Sequence, residues 1–151
     1  MEKYIYIVTP LIAWAVAQSL KHVFVSYNKK RKVIDQPDQN ENALLMIAPS
    51  GGMPSAHSAT VVALATIIGM VHGFESELFA VSILFAAVIM YDAMMVRYSS
   101  GEQGEAILSI LKELKSGIKK PKVAKGHLLS EVLVGALIGW VVAFVVFLIT
   151  R

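Results

Sequence analysis

Four kinds of side chain in this sequence could act together on an anion. They are two imidazoles (His57 and His127), a carboxylate (Glu131), a hydroxyl (Ser55), and two cations at the ends of apolar runs (Lys21 and Arg97). The stretch Ser50-Gly51-Gly52-Met53-Pro54-Ser55-Ala56-His57-Ser58 reads as a glycine turn running into a helix. Its glycines allow a sharp turn and close approach to a ligand, and Pro54 suits a first helical turn. Ala59 to Val71 is apolar and rich in small residues. Free N–H groups at a helix start, beside a hydroxyl and an imidazole, make an anion site, and phosphate is its natural occupant. The bland alternative is that Ser55 only caps the helix.

His127 and Glu131 are four residues apart and share one helix face. A carboxylate so placed holds the imidazole in one tautomer and stabilises its cation. Burying Glu131 at the edge of an apolar span is costly without such a partner; the alternative is a structural pair fastening the helix end. Lys21 and Arg97 read equally well as cations snorkelling to an interface. Asp92, one turn before Arg97, reads as a partner of Arg97 or Lys21 that supports the site rather than as a catalytic carboxylate. A metal held by His57, His127 and Glu131 is conceivable from residue types, but the nearby cations would repel it and no third spaced ligand stands out. Neither a metal nor a cofactor is expected. No Gly-Lys-Ser/Thr follows the glycines, which excludes a Walker-type nucleotide site. His22 reads as interfacial, His72 as lying on the far side, and Met90, Met94 and Met95 as packing.

The elements that must position these groups are membrane spans. The 151 residues are 56% hydrophobic and 17% charged, with a mean hydropathy of +0.61, and the apolar residues fall in blocks long enough to cross a bilayer. The expected architecture is all-α, one integral membrane domain over residues 1–151, with four transmembrane helices. These run from Tyr4 to about Tyr27, from the glycine turn to about His72, from Leu78 to Val96, and from Leu128 to Ile149. A cleavable leader is the competing reading of the first run, but Glu2 offsets Lys3 and the apolar stretch continues past Ala17. A polar loop spans Asn28 to Asn42, and Ala43 to Ala48 is a short return toward the membrane. Within the long polar connection Ser99 to Lys125, Ile107, Ile110, Leu111, Leu114 and Ile118 recur at helical spacing. This predicts an amphipathic interfacial helix between the third and fourth spans, ended by Pro121. Gly135-x-x-x-Gly139 lets two helices pack closely. Absence of cysteine excludes disulfides and thiolate chemistry, and the basic residues carry no nucleic-acid signature.

Four spans imply that helices one and three end where helices two and four begin, which gathers every candidate residue on one membrane face. Twelve of the 14 Lys and Arg lie at or between those helix ends. The positive-inside rule then places both long loops in the cytoplasm and both termini outside.

Gly52-Met53-Pro54-Ser55-Ala56-His57-Ser58 resembles the Pro-Ser-Gly-His segment of the type 2 phosphatidic acid phosphatase superfamily, which includes vanadium-dependent haloperoxidases. Gly126-His127-Leu128-Leu129-Ser130-Glu131-Val132-Leu133-Val134-Gly135 resembles its last motif. With Asp92-Ala93, Val96-Arg97 and Gly101-Glu102-Gln103, the likeness extends over nearly the whole chain and is nearest to a small divergent bacterial branch described as acid phosphatase/vanadium-dependent haloperoxidase-related. The resemblance implies hydrolysis of a lipid phosphate or pyrophosphate in the bacterial cell membrane, with His127 as the nucleophile that forms a phosphohistidine. It implies Glu131 as the group orienting that ring and His57 as the acid at the leaving oxygen. Gly52, Ser55 and Ala56 would bind phosphoryl oxygens, with Lys21 and Arg97 as charge clamps. Ala56 stands where the family has Gly, and Glu131 where it has Asp. Arg97 is separated from His127 by the amphipathic insert, and four spans replace the usual six. The family's first motif also has Arg-Pro where Asn28 stands here, with Arg31 somewhat later. This missing arginine and the long insert support an alternative, a non-catalytic phospholipid-headgroup binder or small transporter that retains the anion pocket. Membrane lipids are the expected surroundings, and a homodimer would shield a site that four helices cover sparsely.

Overall fold

The computed structural model describes residues 4–29, 52–118, 123 and 126–150, and every regular element among them is helical. Helix α1 runs Ile5–Lys29, α2 Ala56–His72, α3 Glu77–Tyr91, α4 Arg97–Glu113 and α5 Leu129–Thr150; a single π turn, Asp92–Val96, joins α3 to α4. The loop at 30–42, the return at 43–48 and Gly51 lie outside the described residues.

Helix α2 is central and touches α5 most extensively, then α1 and α3. Its composition explains that place. Ala56, Ala59, Ala63, Ala65 and Gly69 are buried along it, and small side chains let neighbouring backbones approach. Ala13 and Ala17 of α1 and Ala143 of α5 complete a core of mostly methyl-sized groups around Ile67. Helices α2 and α5 run parallel, glycine against backbone. A Cβ on Gly135 would lie 2.2 Å from the Ser55 carbonyl oxygen, and one on Gly139 would lie 2.2 Å from that of Ala59. The glycine pair foreseen for helix packing is therefore spent inside the chain. At the other end of α2, Gly73 turns with φ 91°, and Ser76 caps α3 by accepting the Phe79 N–H at 3.2 Å.

The outside is the inverse of the core. The apolar windows of the three long helical runs are only 28%, 17% and 22% buried, and Ile7, Leu11, Leu84, Val88, Leu137 and Leu148 are among the large side chains left exposed. A soluble protein does not present such continuous apolar surface, and an all-helical backbone suits lipid because each helix satisfies its own peptide groups. The chain is an integral membrane protein by this pattern. Among the described residues, three runs are long and apolar enough to cross: Ile5–Phe24, Glu77–Glu113 and Leu129–Thr150. The second expected span, α2, is apolar but has 17 residues and is shorter than the others.

Three expectations are corrected. The third span and the amphipathic helix are not separate; they form one helical run, Glu77–Glu113, through the π turn. That run also ends at Glu113, well before Pro121, with Lys115 at φ 47°, so Leu114 and Ile118 fall outside it. The cause is tertiary. Val123 packs where a Cβ on Gly104 would meet its side chain at 2.8 Å, and Gly126 lies against Tyr98. Val123 and Gly126 therefore lie back along α4. Pro54 likewise precedes the Ser55 cap and is not in the first turn of α2.

Gly139→Leu forces a side chain into the Ala59 backbone and is expected to cost about 3 kcal/mol. Thermal unfolding in detergent checks this, and a variant that melts with the parent would mean that α2 and α5 do not touch there.

Candidate functional site

The end of the bundle where α1 finishes and α2 and α5 begin gathers the candidate side chains. Gly52, at φ 90°, has the left-handed backbone that favours glycine. A Cβ there would sit 3.3 Å from Cε of Lys21, so the end of the Lys21 side chain packs against Gly52. Lys21 is only 5% exposed.

Ser55 is fully buried and caps α2. Its Oγ accepts the Ser58 N–H at 3.4 Å and the Ser58 hydroxyl at 3.0 Å. The capping role, the plainer of the two readings, is thus present in the structure. The Ser55 N–H donates to the Glu131 carbonyl at 3.0 Å, which stitches the glycine turn to the first turn of α5. A helix leaves its opening amides without internal acceptors. Those of Ala56 and His57 have no acceptor among the described residues, while the His57 side chain is exposed.

Helix α5 brings the His–carboxylate pair. His127 Nδ1 lies 2.8 Å from Glu131 Oε2, with the side chains 5% and 15% exposed. The same carboxylate oxygen accepts the Leu128 N–H at 3.2 Å. With Nδ1 committed to the carboxylate, Nε2 is the ring nitrogen left for chemistry. The His127 N–H donates to the Ala93 carbonyl at 2.9 Å, tying this segment to the π turn.

Across the π turn, Arg97 Nε meets Asp92 Oδ2 at 3.2 Å, and both side chains are about 40% exposed. Asp92 therefore pairs with Arg97, one of the two partners its position suggested. Arg97, His127, Lys21 and Asp92 all lie close enough to act electrostatically on His57, and Glu131 does so on Lys21. His57, His127, Glu131, Lys21, Arg97 and Asp92 are thus one electrostatic neighbourhood, with Gly52, Ser55 and Ala56 at its edge.

The remaining histidines stand apart. His72 stacks on Tyr6 and bonds its hydroxyl at 2.8 Å through Nε2, at the opposite end of the bundle, and His22 is exposed on α1. Among the described residues no group of three His, Cys, Asp or Glu is arranged to hold a metal ion. A shallow groove of about 390 Å³ lies along one face of the π turn and α4, lined by Tyr91, Met95, Val96, Ser99, Ser100 and Gln103. Sequence reasoning overlooked the main-chain contacts of Ala93 and Gly126. A carbonyl carries no residue-type signal, and a single glycine does not name what it touches.

The sequence model of a family described as "Divergent PAP2 family" matches residues 3–142. The chain is also 38% identical over 109 residues to "Uncharacterized membrane protein YuiD" of Bacillus subtilis (strain 168), a match covering 62% of this chain and 69% of that protein. No solved structure matches significantly.

Ser55→Ala removes the cap of α2 and is expected to cost about 1 kcal/mol, whereas Ser55→Thr, which keeps the accepting hydroxyl without a buried charge, recovers part of it. Melting temperatures of the two variants in detergent check this; equal losses would show that the hydroxyl is not a cap.

Proposed function

The chain belongs to the divergent PAP2 family, and from that premise we propose that it is a membrane phosphatase hydrolysing a lipid phosphate or pyrophosphate through a phosphohistidine on His127. The observation that carries this reading is the 2.8 Å contact of His127 Nδ1 with Glu131 Oε2, which leaves Nε2 with its lone pair free to attack phosphorus. In the first step the Nε2–P bond forms, the bond from phosphorus to the leaving oxygen breaks, and His57 gives that oxygen a proton. In the second, water attacks phosphorus, His57 takes its proton, and the N–P bond breaks to release phosphate. Glu131 steadies the positive charge on the ring throughout.

Charge on the phosphoryl oxygens is met by Lys21, by Arg97 and by the opening amides of α2. Only Nε of Arg97 is engaged by Asp92, so its two terminal nitrogens stay available for a phosphate. Gly52 leaves room for the Lys21 stem, and Ser55 holds the turn. We place the protein in the bacterial cell membrane with α2 as a fourth crossing, both termini outside, and the site-bearing loops in the cytoplasm, where 12 of the 14 cationic side chains fall. A homodimer would shield the site, and sedimentation in detergent tests for it.

A second reading, a headgroup binder or small transporter without turnover, is favoured by two observations. Ser55 is fully buried, with its oxygen engaged as the acceptor of a helix cap, and Asp92 offsets part of the Arg97 charge. Vanadate separates the two readings, because a competent phosphoryl site binds it as a transition-state mimic.

The purified protein in detergent is expected to release phosphate from lipid phosphates, His127→Ala to abolish release, and Glu131→Gln to lower kcat on the order of 10²–10⁴-fold. Phosphate assays together with acid-labile labelling of His127 check this. Unchanged turnover in His127→Ala would remove the mechanism. Lipid-phosphate binding with neither product nor vanadate affinity would leave the binder.

A further inference from the structure

The π turn is the one irregularity in a helical run of 37 residues, and such turns are often found at functional sites. Two local consequences are visible here. The Arg97 N–H reaches back to the Asp92 carbonyl, five residues away, and not to that of Ala93, its ordinary α-helical partner. The Ala93 carbonyl is thereby released, and the His127 N–H takes it at 2.9 Å. In addition, residues five apart in an α-helix point about 140° away from each other, yet Asp92 and Arg97 share a face and form an ion pair at 3.2 Å.

Gly126 completes the arrangement. A Cβ there would lie 2.6 Å from the Tyr98 nitrogen and 2.8 Å from its Cα. Both are backbone atoms of a helix and cannot swing aside. Gly126, next to His127, therefore lies flat against α4 only because it has no side chain. Ala93 itself is 1% exposed, so the bond it accepts is shielded from water.

We propose that Ala93, through its carbonyl, and Gly126, through its bare Cα, are positioning residues for His127. The π turn supplies the acceptor that fixes the height of the imidazole and, in the same stroke, turns Arg97 toward Asp92 and the site. One irregular turn thus sets both the nucleophile and the cation opposite it. The catalytic consequence rests on the phosphatase reading; the placement of the ring does not.

The test uses the full chain in detergent. In the parent, the His127 amide is expected to exchange with deuterium as slowly as amides inside α5, although it precedes that helix. Gly126→Ala is expected to shift the ¹⁵N-histidine NMR signature of the Nδ1–H bonded to Glu131 and to lower kcat about 10²-fold with KM little changed. Gly117→Ala is the control. It adds the same methyl to the same connection, where nothing lies within 4 Å, and it is expected to change neither readout. A His127 amide exchanging at loop rates overturns the proposal, as does a Gly126→Ala protein with the parent's NMR signature. Should Gly126→Ala fail to fold, the parent amide decides. Should the parent turn over no lipid phosphate, the amide and ring signatures still judge the placement, and only the phosphatase reading fails.

Discussion

The closeness of α2 and α5 is the constraint on which the other arrangements depend. Between helices in lipid there is no water to expel, so close packing and interhelical hydrogen bonds must hold them together. Here the packing is backbone on backbone, with Gly135 beneath Ser55 and Gly139 beneath Ala59. Only at that separation can the Ser55 N–H reach the Glu131 carbonyl at 3.0 Å. That bond puts the opening of one helix beside the opening of the other, and with it His57 beside His127. Parallel α2 and α5 also add their helix dipoles at one end, which makes that end favourable for negative charge.

Among the described residues, main-chain bonds join separated segments at this end of the bundle. Ser55 is tied to Glu131, and His127 to Ala93. Side-chain pairs are local by comparison: His127 with Glu131, four residues on, and Asp92 with Arg97, five residues on. The side chains supply chemistry within each segment, and the backbone decides how the segments meet. At the far end of the bundle the division is reversed, since α1 and α2 are joined there by the side chains of Tyr6 and His72.

How much of this was legible beforehand follows the same division. Local pairs could be read, because a spacing of four puts His127 and Glu131 on one face. The order of spans implied that the candidate residues collect at one end, and they do. The glycine pair of α5 announced close packing, although its partner within the chain was hidden. What could not be read was set by tertiary contact. Nothing in Asp92-Ala93-Met94-Met95-Val96 marks a π turn, since its cause includes a bond from a residue more than thirty positions later. Pro121 was the visible stop signal for the amphipathic helix. The chain instead leaves the helix after Glu113, because Val123 and Gly126 must return to Gly104 and Tyr98.

The modest length of α2 has a consequence for the surrounding bilayer. Its 17 residues rise about 25 Å, whereas a typical hydrocarbon layer is about 30 Å thick. As the fourth crossing proposed above, this rod would fall roughly 5 Å short of the slab beside its longer neighbours. A dimple in the lipid or a small aqueous well would then make up the shortfall. Sinking the deficit at the histidine end would let solvent descend to the imidazoles while the acyl chains stayed around the rim.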